Sequence, residues 1–424
     1  MTVLDRSKAP DFNIPESIEL TRPIKRTLKN GVPLYFIPTP AIDAIKLEII
    51  TESNKQLLPE EDGLVPFFTL NMLLEGTKTM SSPGLDNFFD HYASEVDTIS
   101  TFEQQGVSLL STKKHFLSVL PVFRSLLTEA VFPEKELLKR KSQKALTIAM
   151  QQEQNGARAN QLYRKALFGP SHPFGFISEE RHVNAVTKEK LVDYYQEKFL
   201  ISPELFVIGN LNDLEITRIM EAFEDLTIHE SHKKPDEFIL WPEKRLTEEK
   251  DKAVQSSIRL GQHLIPKTHP DYHALTVFNT ILGGYFGSRL IKNIREDKGY
   301  TYGIYSSIGS LEKSDYWVVM ADVQKGHADE VIREVYSEIE KLKTLPVCPD
   351  ELEIVRNFMA GHFLSSFSNA FDLINRFKAI HYAGLDYDFY EAQLQFFKTF
   401  TPEEVMESGK KYFDTDNIIE VVVG

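Results

Sequence analysis

Arg295 and Tyr302 stand seven residues apart in the stretch REDKGYTY, and side chains of these two types can serve acyl chemistry. A guanidinium stays charged and offers several donors in a rigid fork, while a phenol can give one hydrogen bond to a developing oxyanion. The plain alternative is structural, with Arg295 pairing with Glu296 or Asp297 at a helix end and Tyr300 and Tyr302 packing in the strand that follows. Gly299 would supply the tight turn between them. His269 and His273 have the spacing of two zinc ligands on one helix, but Pro270 puts His269 at the helix start and no third ligand suggests itself. Capping and surface roles are expected for both. In PFFTLNMLLEGT, residues 66–77, Phe67, Leu70 and Asn71 share one helical face at i, i+3 and i+4. That spacing matches a His-x-x-Glu-His zinc motif, in which two imidazoles hold the metal and the carboxylate polarises water. A phenyl ring, an alkyl chain and a neutral amide can do neither. The nearest histidine, His91, has no histidine at the required spacing, so no zinc is expected on this helix.

Such residues need elements to hold them. The chain has 424 residues, which suits two domains better than one core. Its 42% apolar and 26% charged residues fit a folded globular protein. The net charge of -14 argues against nucleic acid as a partner, since that affinity rests on basic patches. Cys348 is the only cysteine, which rules out an intrachain disulfide and a thiolate metal site and fits a reducing compartment. The first twenty residues lack a basic segment followed by an apolar one, and there is no run of about 18 apolar residues. A cytoplasmic protein, not embedded in a membrane, is therefore expected.

The two halves of the chain repeat each other. LNMLLEG at 70–76 matches FNTILGG at 278–284, and VFPEKEL at 131–137 matches VCPDELE at 347–353. TKEKLVDYYQEKF at 187–199 matches TPEEVMESGKKYF at 401–413. Each copy of that last segment is followed by a strand-like run closing on glycine, LFVIG at 205–209 and IIEVVVG at 418–424. Common order at a spacing near half the chain length predicts two copies of one domain. The expected domains are 1–230 and 231–424, with a linker near ESHKKPDEF at 230–238. Strands are predicted near 31–37, 44–50, 106–112, 255–262, 301–309 and 315–323. Helices are predicted at 64–75, 120–131, 134–168, 270–282, 327–343 and 350–382. Without regular βαβ alternation this reads as α+β, with two α/β sandwich domains, each an antiparallel sheet covered by helices on one face.

LNMLLEGT, the long helical region after it and LFGPSHPFG at 167–175 resemble the M16 peptidases, the insulinase or pitrilysin family. In the second half, VFNTILGGYFGSRLIKNIREDKGYTYGIY at 277–305 resembles the family's C-terminal domain. The resemblance runs from about residue 25 to the end. It places the family's first histidine at Phe67, its glutamate at Leu70, its second histidine at Asn71 and its last ligand, a glutamate, at Thr147. All four places are altered, so no cofactor is expected in this chain. The resemblance also implies that Arg295 and Tyr302 reach a zinc site on another domain and bind substrate carbonyls there. It implies that His172 shapes a His-Pro turn. Gly283, Gly284 and Gly287 are expected to allow close chain approach, since no GK[ST] follows to make a phosphate loop.

The expected protein is thus the zinc-free subunit of a two-subunit peptidase of the bacterial half-length type, inactive alone and completing the site of a zinc-bearing partner. The rival expectation is a non-proteolytic homodimer that binds peptides. A hydrolase with an unrelated site ranks last, because no G-x-S-x-G or comparable nucleophile motif occurs.

Overall fold

The computed structural model describes Ser7 and residues 18–53, 55–231, 244–311 and 315–424. Most of the N-terminal segment and the greater part of the expected linker at 230–238 lie outside the described residues. The first half runs β1 (Ile24–Thr27), β2 (Pro33–Pro38), β3 (Ala44–Glu52), α1 (Val65–Met72), α2 (Ser82–His91), β4 (Glu95–Ser100) and β5 (Gln104–Thr112). It continues with α3 (Lys113–Thr128), α4 (Glu134–Glu153), α5 (Asn155–Phe168), α6 (Glu180–Asn184), α7 (Lys188–Glu197), β6 (Glu204–Gly209) and α8 (Asp213–Phe223). The second half runs β7 (Arg245–Glu248), β8 (Gln255–Leu264), α9 (Tyr272–Asn279), β9 (Thr301–Gly309), β10 (Asp315–Gln324) and α10 (Ala328–Thr344). It ends with α11 (Pro349–Ser365), α12 (Ala370–His381), α13 (Asp388–Thr399), α14 (Pro402–Tyr412) and β11 (Ile419–Val423).

These strands make two sheets, ordered β1-β2-β6-β3-β5-β4 and β7-β11-β8-β10-β9. With the outer strand β1 set aside, the two orders correspond strand for strand, which is the structural form of the sequence repeat. Pairing is antiparallel throughout except where each half joins its start to its end, β2 with β6 and β7 with β11, both parallel. The central strands are buried on both faces: in β3, Ile45, Leu47 and Ile49 point to one side and Glu48 and Ile50 to the other, each 3% exposed or less. Burial on both faces explains why AIKLEII reads as a nearly continuous apolar run.

The two longest predicted helices are each broken. The helix expected over 134–168 bends at Gln154, whose ψ of 117° is extended, and becomes α4 and α5. The one expected over 350–382 ends at Ser365 and restarts after Asn369, whose side chain accepts the amide of Phe371 at 3.0 Å. The breaks let the second member of each pair cross to the other half. Ala159, Tyr163 and Ala166 of α5 pack with Val318, Ile419, Val421 and Val423 of the second sheet. In return, the rings of Phe377 and His381 of α12 pack at a tilt on Tyr35 of the first sheet, with centroids 5.0 and 4.9 Å away. Each sheet therefore has its own helices on one face and a helix lent by the other half on the opposite face. The two sandwiches expected from sequence are present, and the added exchange depends on tertiary packing that periodicity does not encode.

Gly261 makes the α5 crossing possible. A Cβ there would lie 2.1 Å from both the Tyr163 hydroxyl and the Trp317 carbonyl, and that hydroxyl donates to the same carbonyl at 2.7 Å. Gly261→Ala should therefore cost about 1–3 kcal/mol through overpacking, measured as a lower urea midpoint. A midpoint unchanged within error would show that α5 does not bear on the second sheet as described.

Candidate functional site

The helix α1 begins with proline in its first turn, where the missing N–H costs nothing, and runs into a short 3₁₀ turn, Leu73–Glu75, before Gly76. Val65, Phe68, Leu70 and Met72 are all buried in the first domain's core. Leu70 is only 1% exposed. The Asn71 amide turns back and donates to the Phe67 carbonyl at 2.8 Å. Phe67 is half-buried, edge-on to Phe68 at 5.4 Å. The Lys144 ammonium of α4 lies 4.2 Å from the centre of the Phe67 ring, a cation–π contact, and burial pushes Lys144 down from its ordinary pKa. Thr147, one turn further along α4, is exposed and donates to the Gln143 carbonyl at 2.9 Å.

These four places do not fit a zinc ion. Phe67 and Leu70 have no lone pairs to offer, Asn71 is tied to its own helix, and Thr147 points to solvent. A cation already occupies the neighbourhood in covalent form as Lys144. Among the described residues, no three His, Cys, Asp or Glu side chains gather as a ligand set. The nearby carboxylate of Glu75, 4% exposed, is taken up by Arg140 at 2.6 Å and Ser82 at 2.8 Å. Introducing a carboxylate by Leu70→Glu should cost about 1–3 kcal/mol at pH 7. Burial without a partner raises the folded-state pKa of such a group, so the penalty should fade below the ordinary glutamate pKa, where both states are protonated. A urea midpoint equal to that of the parent protein at pH 7 would overturn the assignment of position 70 to the core.

In the second half, Arg295 lies in the turn of helix Ile291–Asp297, half-buried with its guanidinium 4.8 Å from the centre of the Phe286 ring. Among the described residues it has no ion pair with Glu296 or Asp297. Gly299 turns the chain at φ +66°, a left-handed conformation suited to glycine, and delivers it into the edge strand β9. Alternation then separates the residues: Thr301 is buried, whereas Tyr302 is 90% exposed with no hydrogen bond or ring contact among the described residues. Tyr300 is the one that packs, donating to Glu330 at 2.7 Å and stacking on His327 at 4.6 Å. Arg295 and Tyr302 share one turn-and-strand segment. No hydrogen bond, ion pair or ring contact joins them to the α1 set among the described residues.

His269 lies two residues before the N-cap Asp271 of α9 and accepts the Asp271 amide at 3.1 Å; α9 itself has no side-chain cap. His273 differs from expectation: instead of lying at the surface its ring packs on Phe389 at 4.8 Å, and burial pushes its pKa down to about 4. His172 shapes its turn by accepting the amide of Phe174 at 3.2 Å. Gly283 permits close approach, since a Cβ there would lie 2.6 Å from that of Ser306. Three cations, Lys55, Lys144 and Arg164, were not singled out by sequence, because isolated Lys and Arg residues carry no spacing signal.

Residues 185–359 match the family profile described as the Peptidase M16 inactive domain. The chain is 24% identical over 363 residues to the "uncharacterized zinc protease YmxG" of Bacillus subtilis, covering 83% of this chain and 87% of that one. It is 22% identical over 196 residues, 45% of each chain, to the "probable inactive metalloprotease YmfF" of the same organism. The crystal structure of a peptidase M16 inactive domain from Pseudomonas fluorescens superposes with a TM-score of 0.85 at 20% identity, over 95% of this chain and 97% of that one. Duplicated sheets, exchanged helices and an α1 face without metal ligands thus define a two-domain protein with the M16-like fold. The chain is similar to M16 peptidases over most of its length, and its residues 185–359 match that family's inactive domain.

Proposed function

We propose that this chain is the zinc-free subunit of a heteromeric M16-type metallopeptidase, with domains at 1–230 and 231–424. It helps to bind peptide substrates and completes the active site of a separately encoded zinc-bearing subunit. The observation that carries this reading is Tyr302, 90% exposed on an edge strand and without a partner among the described residues. A large aromatic left bare, next to an arginine that pairs with neither neighbouring carboxylate, suits donors that act on a group outside the chain. Arg295 would hold a substrate carbonyl by charge and direction, and Tyr302 would add a neutral donor where negative charge develops. With Phe67, Leu70, Asn71 and Thr147 unsuited to metal, this chain would bring no cofactor of its own, and zinc would reside in the partner.

We also place the protein in the cytoplasm, a reading supported by the single cysteine. No helix among the described residues is long and apolar enough to cross a membrane. Cell fractionation tests the location. For the main proposal, the chain is co-expressed with candidate zinc-bearing M16 subunits, and the complex is assayed for zinc and for cleavage of a quenched peptide. One zinc per pair of chains and cleavage only by the pair are expected. Tight zinc binding and cleavage by this chain alone would overturn the proposal. A stable homodimer that binds peptides and joins no zinc-bearing chain would favour the non-proteolytic reading instead.

A further inference from the structure

Three cations meet beside the loop that follows β4. The Lys55 ammonium donates to the Thr101 carbonyl at 3.0 Å. The Arg164 guanidinium of α5 lies 5.2 Å from the centre of the adjoining Phe102 ring. Lys144, over Phe67, is close enough to act on Lys55 electrostatically, as is Arg164. Among the described residues none of the three has a carboxylate partner, although the chain as a whole carries 62 acidic residues against 48 basic ones. Arg164 Nε is shielded from solvent and lacks a hydrogen-bond partner among the described residues. Burial first, then Arg164, then Lys144, push the Lys55 pKa down to about 8.

Unpaired, partly buried like charges are costly to keep together. Lys55 itself lines a cavity of about 260 Å³ with Pro59, Glu60 and His172, and Thr101 and Phe102, which Lys55 and Arg164 contact, line a second of about 390 Å³ with Lys267 and Lys378 among its walls. Lys378 is committed to Glu48 and Lys46 lies beside that carboxylate. Among the described residues the acidic side chains on these walls are Glu60, which is bonded to Arg181, and Glu103, which is engaged in a contact of its own. The aromatic faces of Phe67 and Phe102 hold Lys144 and Arg164 without neutralising them, so the charges stay available to an incoming anion.

We propose that Lys55, Arg164 and Lys144 form a receptor for carboxylates on a bound peptide, so that this chain selects acidic segments. The inference rests on the peptide-binding reading above and names the class of peptide. It also gives the rebuilt α1 neighbourhood a use, in which fixed side-chain cations attract a carboxylate-bearing chain.

The test uses the full chain without a partner and the fluorescence anisotropy of peptides of equal length carrying a neutral dye. One peptide has glutamate at alternate positions and a second has glutamine there, both with amidated ends; a third repeats the glutamine peptide with a free C-terminus. The glutamate peptide should bind about 10- to 100-fold more tightly than its amidated glutamine counterpart, the size expected for a charge-assisted contact. Lys55→Gln combined with Arg164→Gln should remove that preference and leave binding of the neutral peptide unchanged. Its melting temperature should be no lower than that of the parent, because an uncompensated charge has been relieved. If glutamate gives no advantage but the free C-terminus does, by the same margin and with the same loss in the variant, the carboxylate recognised is the chain end. Equal binding of all three peptides, or a preference that survives in the variant, overturns this inference alone. No binding of any peptide overturns it together with the peptide-binding reading.

Discussion

Arg295→Ala in the proposed complex with a zinc-bearing partner should lower kcat/KM about 10²- to 10³-fold, the usual cost of losing one directed donor to a developing oxyanion. Tyr302→Phe should act mainly on kcat, because a neutral phenol contributes most when charge has built up on the substrate oxygen. Neither change should disturb folding: Tyr302 is 90% exposed, and among the described residues Arg295 has the Phe286 ring as its side-chain contact. Urea midpoints within about 0.5 kcal/mol of the parent are therefore expected, and zinc content of the complex should be unaltered. Unchanged kinetics in both variants would remove the cross-subunit role. A loss of activity that tracks loss of complex formation would assign these residues to assembly instead.

The second large effect concerns stability. Glu48 on β3 is 2% exposed, bonded to Lys378 of the exchanged helix α12, with Lys46 at 2.8 Å. Burial alone would raise this carboxyl, but Lys378 and then Lys46 outweigh it and hold the pKa below the ordinary value. Lys378 is itself lowered, first by burial, with Glu48 acting against that shift. Glu48→Gln leaves a buried ammonium without its counter-charge and should cost about 3–5 kcal/mol at pH 7. Adding Lys378→Met should recover much of that loss, since a matched apolar replacement of a buried pair is often neutral. A depressed carboxyl pKa gives stability that is present above the unfolded pKa and lost as pH falls through the folded value. The gap between parent and Glu48→Gln should therefore narrow in acid, and a gap constant from pH 7 to pH 3 in urea titrations would contradict the ion-pair account.

Much of this architecture was legible before any coordinates. Matched segments in both halves gave two similar domains, and the sheets answer with the same strand order. The runs at 44–50, 106–112, 255–262, 301–309 and 315–323 are strands within a few residues of where they were placed, because most are apolar, β-branched stretches buried on one or both faces. The helix exchange was not legible. Helical periodicity continues through Gln154, and nothing local says that α5 serves the opposite sheet. At the α1 site, residue types alone showed that Phe67, Leu70, Asn71 and Thr147 could not make a zinc site. They could not show the Lys144 ammonium over Phe67, since that contact joins helices 77 residues apart in sequence. Tyr300 and Tyr302 illustrate the same division: sequence offers two tyrosines two residues apart, and only the strand's alternation decides which is tethered to Glu330 and which is left bare.

The traded helices also bear on how such a protein could admit a substrate. With α5 fastened to one sheet and α12 to the other, the halves cannot swing apart freely, because separating them would strip two apolar faces at once. Within one chain the halves must then travel as a unit. In the proposed two-subunit assembly, any gaping wide enough to let a polypeptide in or out would then fall to the seam between the chains.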